Sequence, residues 1–268
     1  MKYTRIPHTD IRISKICLGT MTFGRQNSEE QGHEQMDYAL EQGINFFDTA
    51  ELYPITAKKE LYAVTEEIIG TWFKKTGNRD KVVLATKIAG RAEFTKHIRT
   101  TGFTKDSLIG AVDGSLKRLQ TDYIDLYQLH WPERNTNYFG KRGYDSHAVD
   151  LWEDNIHQVL ETLRDLVSEG KIRHVGLSNE TPWGTMRFLE EGFGVLSGKY
   201  LDEIQTRKGR LTLFPGYTRY SGDNSVTATR RYQELAQTHG LTLAQMALAF
   251  VNTRPFLTSN IIVATTLD

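Results

Sequence analysis

Short runs rich in β-branched and aromatic residues alternate along this chain with longer segments of helical periodicity. The runs cover residues 13–19, 44–50, 81–87, 123–130, 172–178 and 260–266. This alternation predicts repeated βα units, in which parallel strands form a sheet that is covered by helices. A small hairpin is expected before the first unit, with its turn around residues 8–10. The chain is therefore predicted to adopt an α/β fold.

The segments between the runs have the marks of helices. Residues 107–120 carry apolar side chains at spacings of three and four, and Asp106 or Ser107 can cap the start of this helix. Residues 153–171 contain Gly170 near their end, where helices commonly stop. Two further helical segments cover residues 225–240 and 241–254.

The ends of the runs distinguish two α/β architectures. An open dinucleotide-binding sheet should show GxGxxG after its first strand, but this chain has GTMTFG there and contains no GxxxxGK[ST] phosphate loop. Instead, the runs end in polar residues about 40 positions apart: Asp48, Lys87, His130, and then Ser178 with Asn179. A TIM barrel gathers the C-terminal ends of all its strands at one mouth. The sequence therefore predicts a single (β/α)8 TIM barrel domain over residues 1–268.

Composition limits the partners of such a barrel. Lys plus Arg and Asp plus Glu both number 33, so no overall charge recruits nucleic acid or an anionic membrane. The N-terminus lacks the apolar segment of a signal peptide, and no run is long enough to span a membrane, so we expect a cytoplasmic protein. Cys17 is the only cysteine, which excludes an internal disulfide and predicts a buried structural thiol. No oligomeric state is predicted.

Four polar side chains at the mouth could act together on a proton. A free tyrosine, with a pKa of about 10, is a poor proton donor at neutral pH. A nearby ammonium favours the phenolate, and a carboxylate keeps that ammonium charged and oriented. We therefore predict Tyr53 as the proton donor, Lys87 as its tuner, Asp48 as the partner of the lysine, and His130 as a hydrogen-bond donor to a substrate carbonyl. No spacing typical of metal ligands occurs, and a nicotinamide could supply the hydride that side chains cannot.

Several segments resemble the successive signatures of one enzyme family. GTMTFG, FDTAELYP, LATK, LYQLHWP, KIRHVGLSNE and GVLSGKYL are similar to motifs of the aldo-keto reductases, in the same order and over nearly the whole chain. The resemblance implies a TIM barrel that binds NADP(H) and reduces a small-molecule aldehyde or ketone, with Asp48, Tyr53, Lys87 and His130 as the catalytic tetrad. It further implies that the cofactor contacts Asp48, Ser178, Asn179, Gly19, Thr20, Met21, Gly192, Phe193, Gly194, Leu196, Gly198 and Lys199, and more weakly Arg210 and Thr265.

Each assignment has a simpler structural alternative. Asp48 could cap the following helix while Tyr53 packs at a rim. His130 could satisfy a buried polar network, and Ser178 with Asn179 could cap a helix as well as contact a cofactor. Arg210 could be an ordinary surface arginine. The long connection at residues 131–150 could be a wall of the substrate pocket, a disordered loop or a protein contact.

The chain is short for eight βα units. Three further units after Asn179 should place the last strand about 40 residues beyond its position near Thr265. The join at Glu190 and Glu191 falls where strands six and seven are expected, so we expect a segment to be missing there, and the C-terminal helix to be missing after Asp268. A genuine deletion at the join would leave the family's nicotinamide-stacking aromatic and strand-six amide without counterparts, which would put cofactor binding in doubt.

Two other functions are compatible with parts of the sequence. The β-subunits of voltage-gated potassium channels resemble the same family and act as cofactor-sensing binding modules, a role that the tetrad alone does not distinguish from an enzyme. The stretch ELAQTHGLTLAQMALAFV imitates a helix-turn-helix, but its second helix is too apolar and too poor in Arg, Lys and Asn to read a DNA groove. A reductase is therefore the primary prediction.

Overall fold

The computed structural model describes most of the chain. It covers residues 1–6, 9–134, 155–179, 223–254 and 257–266, together with residues 136, 137, 139, 143–145, 147–149 and 153. The strands in these parts are β1 (Tyr3–Arg5), β2 (Arg12–Ser14), β3 (Ile16–Gly19), β4 (Phe46–Asp48), β5 (Val83–Ile88), β6 (Ile124–Leu129), β7 (Ile172–Leu177) and β8 (Asn260–Ile262). The α-helices are α1 (Glu29–Glu41), α2 (Val64–Thr76), α3 (Lys105–Leu119), α4 (Ile156–Ser168), α5 (Asp223–Thr238) and α6 (Leu243–Asn252). Short 3₁₀ turns cover Lys59–Leu61, Arg79–Lys81 and Glu93–Thr95.

The strands form a hairpin and one larger sheet. Strands β1 and β2 pair in antiparallel fashion, and β3 to β7 pair in parallel, each with the next along the chain. Within the described residues the sheet has the order β7-β6-β5-β4-β3-β8, so β8 lies next to β3. Helices α1 to α4 connect or follow these parallel strands. The predicted α/β fold of the TIM barrel type, with an N-terminal hairpin, is confirmed.

Several element boundaries differ from the predictions, and two of the differences have a clear cause. The run at residues 13–19 divides, because Ser14 pairs with Tyr3 in the hairpin whereas Cys17 pairs with Phe46 in the parallel sheet. Helix α3 starts earlier than expected: its N-cap is Thr104, whose hydroxyl accepts a hydrogen bond from the backbone of Ser107. The apolar stripe marks where a helix becomes buried, which is one turn later than its cap.

The two faces of the sheet carry different cores. The outer face packs against helices α1 to α4, through side chains that include Phe47, Leu84, Met36, Trp72, Leu108 and Leu163. The inner face carries a smaller cluster in which Cys17, Phe46 and Ala85 contact Ile11 and Ile13 of the hairpin segment. Burial, reinforced by Asp48, raises the pKa of the Cys17 thiol well above its usual value. Because side chains alternate along a strand, Asp48 and Lys87 share the inner face with Phe46 and Ala85.

The chain divides into two compact units. The first comprises Met1–Thr136, Asp145–Glu180 and Ile261–Asp268, and it contains the hairpin, strands β3 to β7 and helices α1 to α4. The second comprises Asn137–Tyr144 and Thr181–Asn260, and it contains α5 and α6, which bury Ala236 and Leu243 respectively. None of the helices in the described parts combines the length and the apolarity that a bilayer-spanning segment needs.

Some predictions fall on positions outside the described residues. These positions include the join at Glu190 and Glu191, the segment where strands six and seven are expected, and the turn residue His8. Within the described residues, β8 is the next strand after β7. The single-domain assignment for residues 1–268 stays a prediction.

Helices α2 and α3 approach closely at Gly70. A β-carbon at Gly70 would lie 2.0 Å from the backbone oxygen of Arg118, whereas one at Gly110, in the middle of α3, would meet nothing within 4 Å. We expect Gly70→Ala to destabilise the protein by about 1–3 kcal/mol, because the helices must separate. Gly110→Ala is the matched control and should be neutral or stabilising by up to about 1 kcal/mol. Urea unfolding of both variants tests this, and equal stabilities would contradict it.

Candidate active site

Four strands bring polar side chains to one edge of the sheet. Asp48 is the last residue of β4, and Lys87 is the second-to-last residue of β5. His130 and Ser178 directly follow β6 and β7. Backbone hydrogen bonds continue the parallel ladder past the strand ends, since the amide of His130 donates to Ile88 and the amide of Ser178 donates to Leu129. The C-terminal ends of these strands are therefore held in register, and their side chains share the inner face of the sheet.

The centre of this edge is a buried ion pair. The Lys87 ammonium lies 2.6 Å from a carboxylate oxygen of Asp48 and donates a second hydrogen bond of 2.8 Å to the carbonyl of Thr49. The amide nitrogen of Gln128, which pairs in register with Lys87, lies 3.4 Å from the other carboxylate oxygen of Asp48. Lys87 is only 2% exposed. A buried ammonium requires such a set of acceptors, because an unpaired charge would be too costly to remove from water.

Tyr53 lies beside this ion pair. The loop that leaves β4 turns back through a hydrogen bond from the Tyr53 amide to Ala50, which places the ring over the edge of the sheet. The Lys87 ammonium is 5.2 Å from the centroid of the Tyr53 ring. The ring also meets His130 edge to face, with centroids 5.8 Å apart. The structure therefore brings Asp48, Tyr53, Lys87 and His130 together.

His130 is held in a dry environment. Its side chain is buried, and its ring packs against the indole of Trp131 at a centroid distance of 5.0 Å. Burial, followed by the nearby Lys87 ammonium, lowers the pKa of His130 well below its usual value. The imidazole is therefore neutral at pH 7 and carries one N–H donor and one acceptor nitrogen.

Ser178 and Asn179 continue the edge beyond β7. The side-chain amide of Asn179 donates to the backbone carbonyl of His130 at 2.8 Å and to the hydroxyl of Ser178 at 3.1 Å. Asn179 has a φ of 54°, in the left-handed region that asparagine tolerates better than most residues. These bonds join the end of β7 to His130 and place a hydroxyl and a carboxamide side by side.

The loop after β3 supports Asp48 from the other side. Gly19 pairs in register with Asp48, and both the amide and the hydroxyl of Thr20 donate to the backbone carbonyl of Asp48. The carbonyl of Met21 accepts from the amide of Ile55. A β-carbon at Gly19 would lie 2.5 Å from the side chain of Val263, so only glycine allows this approach. The Thr20 hydroxyl therefore positions Asp48.

The remaining predicted cofactor residues lie elsewhere. The carbonyl of Thr265 accepts a 2.9 Å hydrogen bond from the side chain of Asn27, which ties the segment after β8 to the loop after β3. The other positions, Gly192, Phe193, Gly194, Leu196, Gly198, Lys199 and Arg210, lie outside the described residues.

Sequence reasoning missed two charged residues at this edge. Glu51 lies within FDTAELYP, between Asp48 and Tyr53, and is 2% exposed. Its carboxylate pairs with Arg99 at 2.8 Å. A second carboxylate, only three positions after Asp48 in an octapeptide with predicted catalytic residues, was an available signal. No pattern in the sequence predicts its partner Arg99, because Arg99 lies in an irregular segment 48 positions further along the chain.

Comparison with known proteins agrees with this geometry. The sequence model of the Aldo/keto reductase family matches residues 15–193. Among solved structures, the chain is similar to the holo form of the aldo-keto reductase AKR11C1 from Bacillus halodurans, with a TM-score of 0.51 and 32% sequence identity. The match covers 71% of this chain and 54% of that chain, so it spans about half of the solved structure.

Relatives also match over the whole chain. The protein named Protein tas of Escherichia coli K12 is 40% identical over 319 residues, covering 100% of this chain and 90% of the relative. An uncharacterized oxidoreductase of Bacillus subtilis, YrpG, is 31% identical and covers 100% of this chain and 88% of its own length. The 319 aligned residues exceed the 268 of this chain, so Protein tas contains residues without counterparts here. On both the family match and these relatives, the chain belongs to the Aldo/keto reductase family and is an oxidoreductase enzyme.

Proposed function

We propose that this protein is an NADPH-dependent reductase that transfers hydride to the carbonyl of an aldehyde or ketone, with Tyr53 as the general acid. The observation that carries the proposal is the position of Lys87. Its ammonium is buried, paired with Asp48 at 2.6 Å, and 5.2 Å from the centroid of the Tyr53 ring. A buried cation beside a phenol favours chemistry in which the phenol loses a proton.

The chain offers groups that fit a nicotinamide. Ser178 and Asn179 supply a hydroxyl and a carboxamide at the edge that also carries His130, and each of these groups can both donate and accept hydrogen bonds. A nicotinamide carboxamide needs one donor and one acceptor, so the two side chains match it chemically. When bound, the nicotinamide would supply the hydride that no side chain can provide.

Tyr53 supplies the proton. As the carbonyl carbon is reduced, negative charge develops on the substrate oxygen, and the phenol can donate its proton to that oxygen. The phenolate that remains is stabilised by the Lys87 ammonium, because the low dielectric of a buried site strengthens their attraction. Asp48 keeps the ammonium in place through its 2.6 Å contact. The burial of Asp48 and Lys87 also excludes water from their contact.

His130 orients the substrate. A neutral imidazole can donate one hydrogen bond to a carbonyl oxygen without placing a second full positive charge next to Lys87. Its edge-to-face contact with Tyr53 puts the two potential donors on neighbouring positions. The low pKa of His130, which burial causes, is therefore suited to a role as a hydrogen-bond donor rather than a general acid.

Aromatic side chains next to His130 suggest an apolar substrate. Trp131 is buried, and its ring lies 5.7 Å from that of Phe94, which is 44% exposed. A β-carbon at Gly90 would lie 2.4 Å from the indole nitrogen of Trp131, so the indole is closely held. We infer that the carbonyl substrate carries an apolar or aromatic group that packs on this wall.

Removing the phenol hydroxyl tests the proton donor. We expect Tyr53→Phe to lower kcat for para-nitrobenzaldehyde by at least about 100-fold, because general acid catalysis contributes on this scale. The affinity for NADPH should stay close to that of the unchanged protein. Tyr38→Phe is the matched control, because Tyr38 is 45% exposed on α1 and should leave kcat unchanged. Tyr53→Phe turnover equal to that of the control would contradict the assignment.

Cofactor titration tests the proposal as a whole. Fluorescence titration of the full chain with NADPH and with NADH should show saturable binding that is tighter for NADPH, and the aldehyde should then oxidise the bound cofactor. Binding without turnover across a panel of aldehydes and ketones would favour a cofactor-sensing module over a reductase. Absence of binding to either nucleotide would refute the proposal.

The neutral state of His130 predicts a pH dependence of stability. The unfolded chain protonates this histidine below about pH 6.5, whereas the folded protein holds its pKa lower. Above that pH the group contributes nothing to the pH dependence. As pH falls below it, the free energy of unfolding should drop by up to about 1.4 kcal/mol per pH unit until the folded-state pKa is reached. His130→Gln should reduce this slope in urea unfolding measured across this pH range. An unchanged slope in His130→Gln would contradict the assignment.

A further inference from the structure

The backbone on either side of Ile88 is bound by Glu51, in addition to the ladder that joins β5 to β6. The amide of Glu51 donates to the carbonyl of Lys87 at 3.0 Å. The carboxylate of the same glutamate accepts a 2.9 Å hydrogen bond from the amide of Ala89. Glu51 therefore bonds to the chain on both sides of Ile88, through its backbone and its side chain.

Arg99 completes this contact. Its guanidinium donates to both carboxylate oxygens of Glu51, at 2.8 and 3.0 Å, and to the carbonyl of Ala89 at 3.1 Å. The amide and the carbonyl of Ala89 are thus bound by the two members of one ion pair. One guanidinium nitrogen, Nη2, makes both contacts with the carboxylate, while Nη1 bonds to the Ala89 carbonyl. Hydrogen bonds between charged partners are stronger than neutral ones.

The pair is deeply buried. The side chains of Arg99 and Glu51 are 9% and 2% exposed, respectively. Burial raises the pKa of Glu51 above its usual value, against the opposing effects of Arg99 and the Ala89 amide. The other polar groups that face Glu51 include Tyr62, which donates to it at 2.9 Å, and the more distant Glu66. Buried ion pairs are often no more stabilising than apolar residues of the same size, so stability alone does not account for this one.

Glu51 also lies between two members of the proposed site. It is three positions after Asp48 and two before Tyr53, in the loop that leaves β4. Its bonds to Lys87 and Ala89 therefore connect that loop to the end of β5 at the place where the Lys87 side chain begins. A shift of this connection would change the position of the ammonium relative to both the carboxylate and the phenol.

We propose that the Glu51–Arg99 pair is a positioning device that holds Lys87 in the geometry needed for proton transfer from Tyr53. This inference rests on the proposed function and adds two positioning residues to it. Neither residue needs to touch substrate or cofactor. Their effect on the reaction passes through the backbone of Lys87 and Ala89.

A similar arrangement at the N-terminal end of β5 provides a control. The carboxylate of Asp125 accepts a 2.9 Å hydrogen bond from the amide of Leu84 and pairs with Arg79 at 2.8 Å. Asp125 is 2% exposed, like Glu51. Both carboxylates therefore bind one β5 backbone amide and an arginine, and Asp125 also pairs with a second arginine, Arg173, at 2.8 Å. The Asp125 cluster lies at the end of β5 opposite to Tyr53.

Neutralising each carboxylate separates positioning from stability. We expect Glu51→Gln to lower kcat with NADPH and para-nitrobenzaldehyde by roughly 10- to 100-fold, since small misplacements of reacting groups have effects of this size. The Kd for NADPH should be unchanged. Asp125→Asn should lower the melting temperature comparably while leaving kcat close to that of the unchanged protein. Equal kcat values in the two variants would overturn the proposal.

Hydrogen exchange gives a readout that does not depend on turnover. Glu51→Gln should speed amide exchange in the peptide covering residues 87–91, and Asp125→Asn should speed it near Leu84 instead. Unchanged exchange in residues 87–91 would overturn the proposal whatever the activity. Failure of the unchanged protein to reduce any aldehyde would instead refute the proposed function, and the exchange result would still decide whether the pair holds this segment.

A double variant guards against simple loss of folding. Glu51→Leu combined with Arg99→Met replaces the ion pair by apolar side chains, a change that is often neutral or stabilising in buried pairs. We expect this variant to stay folded, to bind NADPH normally and to lose kcat as Glu51→Gln does. Retention of full kcat in the double variant would show that the pair is structural only and would overturn the proposal.

Discussion

The buried ion pair between Lys87 and Asp48 is the interaction on which the site depends. An ammonium that is 2% exposed is tolerated only where acceptors replace its water, and here the Asp48 carboxylate and the Thr49 carbonyl do so. Both acceptors belong to the end of β4 and its following loop. The position of the lysine is therefore set by the pairing of β4 with β5, and the phenol of Tyr53 and the imidazole of His130 are arranged around it.

The sheet around this pair is reinforced at both ends of β5. A carboxylate and an arginine bind the strand near Leu84, and a second carboxylate and arginine bind it at Ala89. Between Leu84 and Ala89 lie Ala85, in the inner core, and Ile88, in the outer core. A strand fixed in this way is a rigid support, and sites on rigid elements hold reacting groups more accurately than sites on loops.

Much of this arrangement follows from local sequence patterns. The period of two along the strands places Phe46 and Asp48 on one face and Phe47 on the other, as the structure has them. The boundaries of strands and helices were predicted less accurately. Ser14 belongs to the hairpin, and Thr104, not Asp106 or Ser107, caps α3. These differences arise because a cap or a strand partner depends on one hydrogen bond, which periodicity does not encode.

The sequence by itself determined the repeated βα pattern, the family and the polar residues at the strand ends, because each leaves a signal within a few neighbouring positions. Only the tertiary structure decided which of those groups are buried together. The neutrality of His130 follows from burial that no local pattern records. Glu51 pairs with Arg99, and Asp48 is bound by Lys87, Thr20 and Gln128. These contacts join segments that are tens of residues apart in sequence, so they exist only once the strands have been brought side by side.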